Sequence, residues 1–210
     1  VSKTGSSTPP YTSWETASDS IQECINICSF GDTVYVANGV YHETLIVNKY
    51  LWLIGSSMDS TIIDGTGLDE ITVNFLADGY IQLFSILGMG ENTIGTTCIE
   101  SDLVNCFIKL CKILNADNGI GLVMSSTEVN QCMISKVRTG YVTYNIEPIS
   151  PIIKNSIISV HNSDRYAIII GDGKNTTLNN NVFGHFNSSK AIGVLFGSTN
   201  NTIKNNNVSG

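Results

Sequence analysis

The chain has 210 residues, 42% of them hydrophobic and only 14% charged, with a formal net charge of −7 at pH 7. That balance argues against nucleic acid as a partner, which requires a basic footprint, and the low charge argues against long solvated helices. No apolar run approaches the length of about 18 residues that suggests a membrane span.

The polar opening Val1-Ser2-Lys3-Thr4-Gly5 has no signal-peptide pattern and reads as a mature or trimmed start. Residues 1–18 form a lead-in. Ser20-Ile21-Gln22-Glu23 then has capping-box spacing. Ile21, Cys24, Ile25 and Cys28 share one helical stripe. A short helix is therefore expected within residues 19–31, closed by Gly31. Short strands follow at residues 33–36, 45–47, 51–54 and 61–63, punctuated by Asn38-Gly39, Gly55-Ser56-Ser57 and Asp64-Gly65.

From there the chain repeats at intervals of about 25 residues, which marks a solenoid. One column aligns Ile108, Ile134, Ile157, Val182 and Val208. Two residues earlier stand Cys106, Cys132, Asn155, Asn180 and Asn206. Further columns are Ile120, Val142, Ile168, Ile192 and Leu122, Tyr144, Ile170, Val194. Each repeat consists of short β-forming stretches broken by Asn, Gly, Ser or Asp, without ten residues of helical periodicity. Helical arrays are thereby excluded, and the repeat is too short for a propeller blade. The reading is an all-β, right-handed parallel β-helix over residues 32–210. Equivalent residues stack on their counterparts about 4.8 Å apart, and stacked Asn amides form a ladder.

The segments Gly31-Asp32-Thr33-Val34, Gly39-Val40-Tyr41-His42-Glu43 and Thr61-Ile62-Ile63-Asp64-Gly65 resemble the start of pectin-lyase-like β-helices. The later units, such as 191–206, look like NosD-type and carbohydrate-associated repeats. The resemblance implies a secreted or cell-surface protein that binds or cleaves polysaccharide. It transfers no catalytic residue: the paired-Asp and Gln-Asp motifs of the hydrolases and methylesterases have no counterpart here. Glu43 and Asp64 are read as serving the fold.

The sequence feature most suggestive of a ligand lies four residues past each anchor of the first column: Lys112, Arg138, His161 and Phe186, with Lys109 and Lys136 nearby. As an outward row it would offer cations and an aromatic ring to a sugar chain. In the alternative, a polysaccharide lyase or hydrolase, Lys or His would abstract the proton α to a uronate carboxyl and Arg would neutralise the developing charge. No convergent acid–base set stands out, so binding or a surface scaffold is favoured over catalysis. No cofactor is implied. Calcium is a possibility at Asp69, Glu70 and Asp78. Cys24, Cys28, Cys98, Cys106, Cys111 and Cys132 lack the paired spacing of a zinc site and are expected to be free thiols. The last residues stop in repeat register, so further repeats or another chain are expected at that end.

Overall fold

The protein is a right-handed parallel β-helix with one short helix at its N-terminal end, as shown by a computed structural model that describes residues 1–90, 93–144, 150–160, 166–171, 176–179, 181–184, 190–194 and 199–208. Each coil has three faces. The first is a sheet of eight parallel strands: Thr33–Val36, Leu51–Gly55, Gly79–Gln82, Cys106–Lys109, Glu128–Asn130, Ile152–Lys154, Thr177–Asn179 and Thr202–Lys204. The second begins with Gly39–Tyr41, Thr61–Asp64 and Ser85–Leu87. The third begins with Leu45–Val47, Ile71–Phe75 and Thr97–Asp102. The long strands Lys112–Val123 and Met133–Tyr144 run round the bend between the second and third faces.

Strand alternation sends one residue in two to the interior, and stacking turns those residues into apolar columns. On the first face Val34, Leu53, Ile81, Ile108, Val129, Ile153 and Leu178 lie in register and are buried. On the second, Tyr41, Ile63, Ile86, Ile113, Ile134 and Ile158 do the same. On the third, Val73, Ile99, Ile120, Tyr141 and Ile168 complete the core.

The register corrects the sequence columns. Ile108 belongs to the first face, whereas Ile134 pairs with Ile113 on the second. Ile120 meets Tyr141, not Val142, and Leu122 meets Thr143, not Tyr144. The cause is an uneven coil. The step along the first face is 19 residues from Thr33 to Trp52, 28 to Tyr80, and 21 from Phe107 to Glu128. A fixed period slides along such a chain, and a slip of one residue exchanges inside for outside.

The turn column shifts for the same reason. The stacked inward residues are Phe84, Cys111, Cys132, Ser156, Asn181 and Asn206, each preceding a second-face strand. An amide ladder forms at its lower end. Asn181 Nδ2 donates to Asn206 Oδ1 at 3.0 Å, and Asn206 Oδ1 also accepts from the Asn181 backbone N–H at 3.0 Å. Just before this column lie Leu83, Leu110, Gln131, Asn155 and Asn205, all at positive φ between 51° and 63°. Asn155 thus occupies the bend rather than the interior, and Asn180 lies outside the described residues. Leucine is an uncommon occupant of this conformation. Here neighbouring coils impose the bend: Leu110 N–H donates to Asn130 O at 3.1 Å and Asn155 N–H to Asn179 O at 3.1 Å.

The helix spans Ile21–Ile27, shorter than the sequence suggests. Cys28 has already turned to extended backbone, and Lys49 supplies the missing C-terminal partner. Its Nζ donates to the carbonyls of Ile25, Asn26 and Cys28 at 3.1, 2.7 and 2.8 Å. Gly31, at φ 87°, therefore serves the following turn rather than the helix end. All six cysteines are free thiols, as expected. Burial pushes Cys98 and Cys106 up to about 12.

Candidate functional site

The outer face of the first sheet presents a feature absent, among the described residues, from the other faces' strand pairings. Trp52, Tyr80 and Phe107 pair in register on three successive coils and point outward. Their ring centroids are 4.8 Å apart for Trp52–Tyr80 and 6.3 Å for Tyr80–Phe107, with planes tilted by 30° and 34°. Trp52 remains 39% exposed and Phe107 53% exposed. Tyr50 joins them around a shallow recess of about 210 Å³ and stacks on Phe30 at 5.2 Å. Gly79 lines the recess through its backbone and faces the core on its other side, where a Cβ would stand 2.8 Å from the buried Phe75 ring.

Two residues further along each strand runs a polar row: Gln82, Lys109, Asn130, Lys154, Asn179 and Lys204. Tyr80 Oη donates to Gln82 Oε1 at 2.9 Å. Lys154 Nζ pairs with Glu128 Oε1 at 2.9 Å. Lys109 makes no ion pair among the described residues. Exposed aromatic rings edged by amide and ammonium groups form a surface able to pack against a sugar ring while hydrogen-bonding its hydroxyls.

Of the residues singled out in the sequence, Lys109 lies on this face. Lys112, Lys136 and Arg138 do not join it in one row. Lys112 pairs with Met133 across the sheet and forms an ion pair with Asp59. Lys136 is exposed at a bend, at φ 53°. Arg138 lies beyond that bend, its Nη1 3.2 Å from Asp117 Oδ1, whose side chain is 3% exposed. The proposed alignment of Lys112 with Arg138 fails because their anchors belong to different faces. His161 and Phe186 lie outside the described residues. Asp69 accepts from Thr44 Oγ1 at 3.0 Å and Asp78 from the Asn105 N–H at 2.8 Å. With exposed Glu70 they form no metal-ligand group, since no three His, Cys, Asp or Glu side chains converge among the described residues.

The third face carries a feature that sequence reading missed. Glu100 and Asp102 both point outward from Thr97–Asp102. Burial, reinforced by the Asp102 charge, raises the Glu100 carboxyl above its ordinary value. A raised carboxyl contributes most to stability when protonated, below its unfolded value of about 4.3. That contribution is lost as pH rises through the folded value. Glu100→Gln removes the loss, so its melting temperature should exceed the parent's by about 1–2 °C at pH 7 and match it near pH 4. A thermal melt series across that range checks the sign.

No family model matches the chain, and no curated protein matches it. Among solved structures it is similar to pectin methylesterase from carrot. The TM-score is 0.53 at 14% identity, over 84% of this chain and 60% of that one. It is also similar to an Aspergillus niger pectin methylesterase, with TM-score 0.39 at 15% identity, over 90% of this chain and 85% of that one. A pectin methylesterase in complex with a hexasaccharide gives TM-score 0.45 at 14% identity, over 77% and 75% of the two chains. The carrot comparison establishes the pectin-lyase-like β-helix fold. This chain spans about 60% of the carrot enzyme's length.

Proposed function

We propose that the protein is a polysaccharide-binding β-helix, secreted or held at a cell surface, whose binding face is the outer face of the first sheet. The observation that carries this reading is the exposed Trp52–Tyr80–Phe107 row, with Lys109 and its polar neighbours beside it. Stacked cross-strand aromatics contribute about 0.5–1.5 kcal/mol to stability on their own account. That contribution does not call for leaving them open to solvent, whereas a sugar platform does. The solvent-shielded thiols of Cys98 and Cys106 suit an oxidising setting, because so little thiolate forms there. Lyase chemistry on the cation row has less support, since Lys112 and Arg138 are engaged by Asp59 and Asp117.

The test is a glycan-array screen followed by calorimetry on the bound sugars. Trp52→Ala and Tyr80→Ala should each weaken binding on the order of tenfold or more, as for buried aromatic anchors. Lys112→Ala should leave it unchanged. Equal affinity of the parent and both aromatic variants would refute the assignment of this face.

A further inference from the structure

The aromatic face does not end at Trp52. Its strand pairs with Thr33–Val36, the terminal strand of the sheet, with Thr33 directly opposite Trp52. Thr33 and Tyr35 point outward there and line a cleft of about 580 Å³. Its other walls include Tyr11 and Trp14 from the lead-in, Ile27 from the helix, and Asp32. Trp14, Ile27 and Tyr35 are each at least half exposed. The lead-in is pinned in place: the Val1 ammonium donates to Tyr35 O at 2.6 Å, the Ala37 N–H to Val1 O at 2.9 Å, and Tyr11 Oη to Glu23 Oε2 at 3.4 Å. The cleft is therefore formed before any ligand arrives, at a size suited to a small organic group.

We infer that this cleft takes one end of a neutral, linear oligosaccharide whose following units lie along the Trp52–Tyr80–Phe107 row. The inference rests on the polysaccharide reading and adds a chain end, a direction and a charge class to it. Three observations carry it. The ring spacings of 4.8 and 6.3 Å along the axis are comparable with one pyranose unit, so successive units can meet successive rings. The groove is blocked on the cap side, because no strand of the sheet lies beyond Thr33–Val36 and the helix and lead-in stand there. A chain lying along the axis must stop at that wall. Asp32 marks the blocked end and Glu128, opposite Phe107, marks the other. Lys154 is held by Glu128, leaving Lys109 as the cation beside the rings. In a chain of net charge −7, this surface disfavours an acidic polymer and accepts hydroxyls.

The two tryptophans of the chain separate the parts of the site, since Trp14 is in the cleft and Trp52 on the row. Trp14→Phe and Trp52→Phe each leave one emitter and keep a ring in place. Neutral oligosaccharides of glucose, mannose, xylose and galactose, two to six units long, are titrated against both variants. The same sugars with a bulky group on either end, and oligogalacturonates of equal length, are run beside them. Expected are fluorescence changes at both tryptophans and affinity rising with length to about four units. One of the two end-blocked forms should lose at least tenfold in affinity together with the Trp14 signal. Equal binding of both blocked forms, or a response at Trp52 without one at Trp14, overturns end recognition while leaving the polysaccharide reading intact. Tighter binding of oligogalacturonates overturns the neutral class. Silence at both tryptophans across the panel overturns the polysaccharide reading itself.

Discussion

Replacing Arg138 with alanine lowers the melting temperature by on the order of 10 °C. Its partner, Asp117, is almost completely buried, and the 3.2 Å contact between them spans one coil step. Asp117 also anchors the chain before Thr97–Asp102: its Oδ2 accepts from the Gly95 N–H at 2.9 Å, and its own N–H donates to Thr96 Oγ1 at 3.1 Å. Removing the guanidinium takes this positive charge away from a carboxylate that stays almost completely buried. Breaking a buried pair this way costs about 3–5 kcal/mol, and each kcal/mol moves the midpoint of a chain this size by about 2–4 °C. The double variant Asp117→Asn with Arg138→Ala neutralises the buried carboxylate and should recover a large part of the loss. Polysaccharide affinity of Arg138→Ala, measured below its melting point, should equal the parent's because Arg138 is off the first face. An unchanged melting temperature would show that Asp117 does not need its partner.

The role of Arg138 also shows how far the sequence carried. The cap, the early strands and the coil architecture were legible because local signals agree: Ser20 before a helical stripe, strands bounded by Gly and Asn, and self-similarity near 25 residues. Ser20 Oγ does accept from the Glu23 N–H, at 3.3 Å. The site was not legible, because pairing depends on register and register depends on every intervening bend. Bends occupied by Leu83 and Leu110 carry no turn signature, so coil lengths could not be counted across them. Trp52, Tyr80 and Phe107 recur at steps of 28 and 27 residues, a usable signal. Two of its three members, Trp52 and Tyr80, precede the repeats that begin at Cys106. Lys109 was singled out for its proximity to Lys112 and Arg138, which do not align with each other. Glu100 and Asp102 influence each other because alternation turns both outward on one strand.

Glu43 is the residue on which the cap depends, and Glu43→Ala should detach it. The resemblance placed Glu43 in a segment serving the fold, and the structure shows how. Its Oε1 accepts from the Ile21 N–H at 2.8 Å, and its Oε2 from the Gln22 N–H at 3.0 Å and from Ser20 Oγ at 2.8 Å. These are donors in the first turn of the helix, which has no intrahelical acceptors for them. The Glu23 carboxylate, which capping-box spacing assigns to this task, instead accepts from Ser18 Oγ at 2.8 Å. Losing Glu43 strands the backbone donors at a helix only seven residues long, at a cost of about 2–3 kcal/mol. So short a helix cannot hold itself together, and its buried Ile21, Cys24 and Ile25 lose their seat on the first coil. Cys24 reports this directly. Burial holds its thiol above the ordinary value, which keeps the thiolate scarce. When the cap opens, that restraint is released and the sulfur meets solvent. Under native conditions, Glu43→Ala should therefore modify Cys24 with a thiol reagent at least tenfold faster than the parent. Cys98, Cys106, Cys111 and Cys132, buried along the coils, should stay unreactive. Glu43→Gln keeps one acceptor oxygen and should fall between the two. If Cys24 reacts no faster in Glu43→Ala, the cap is held by its apolar contacts alone.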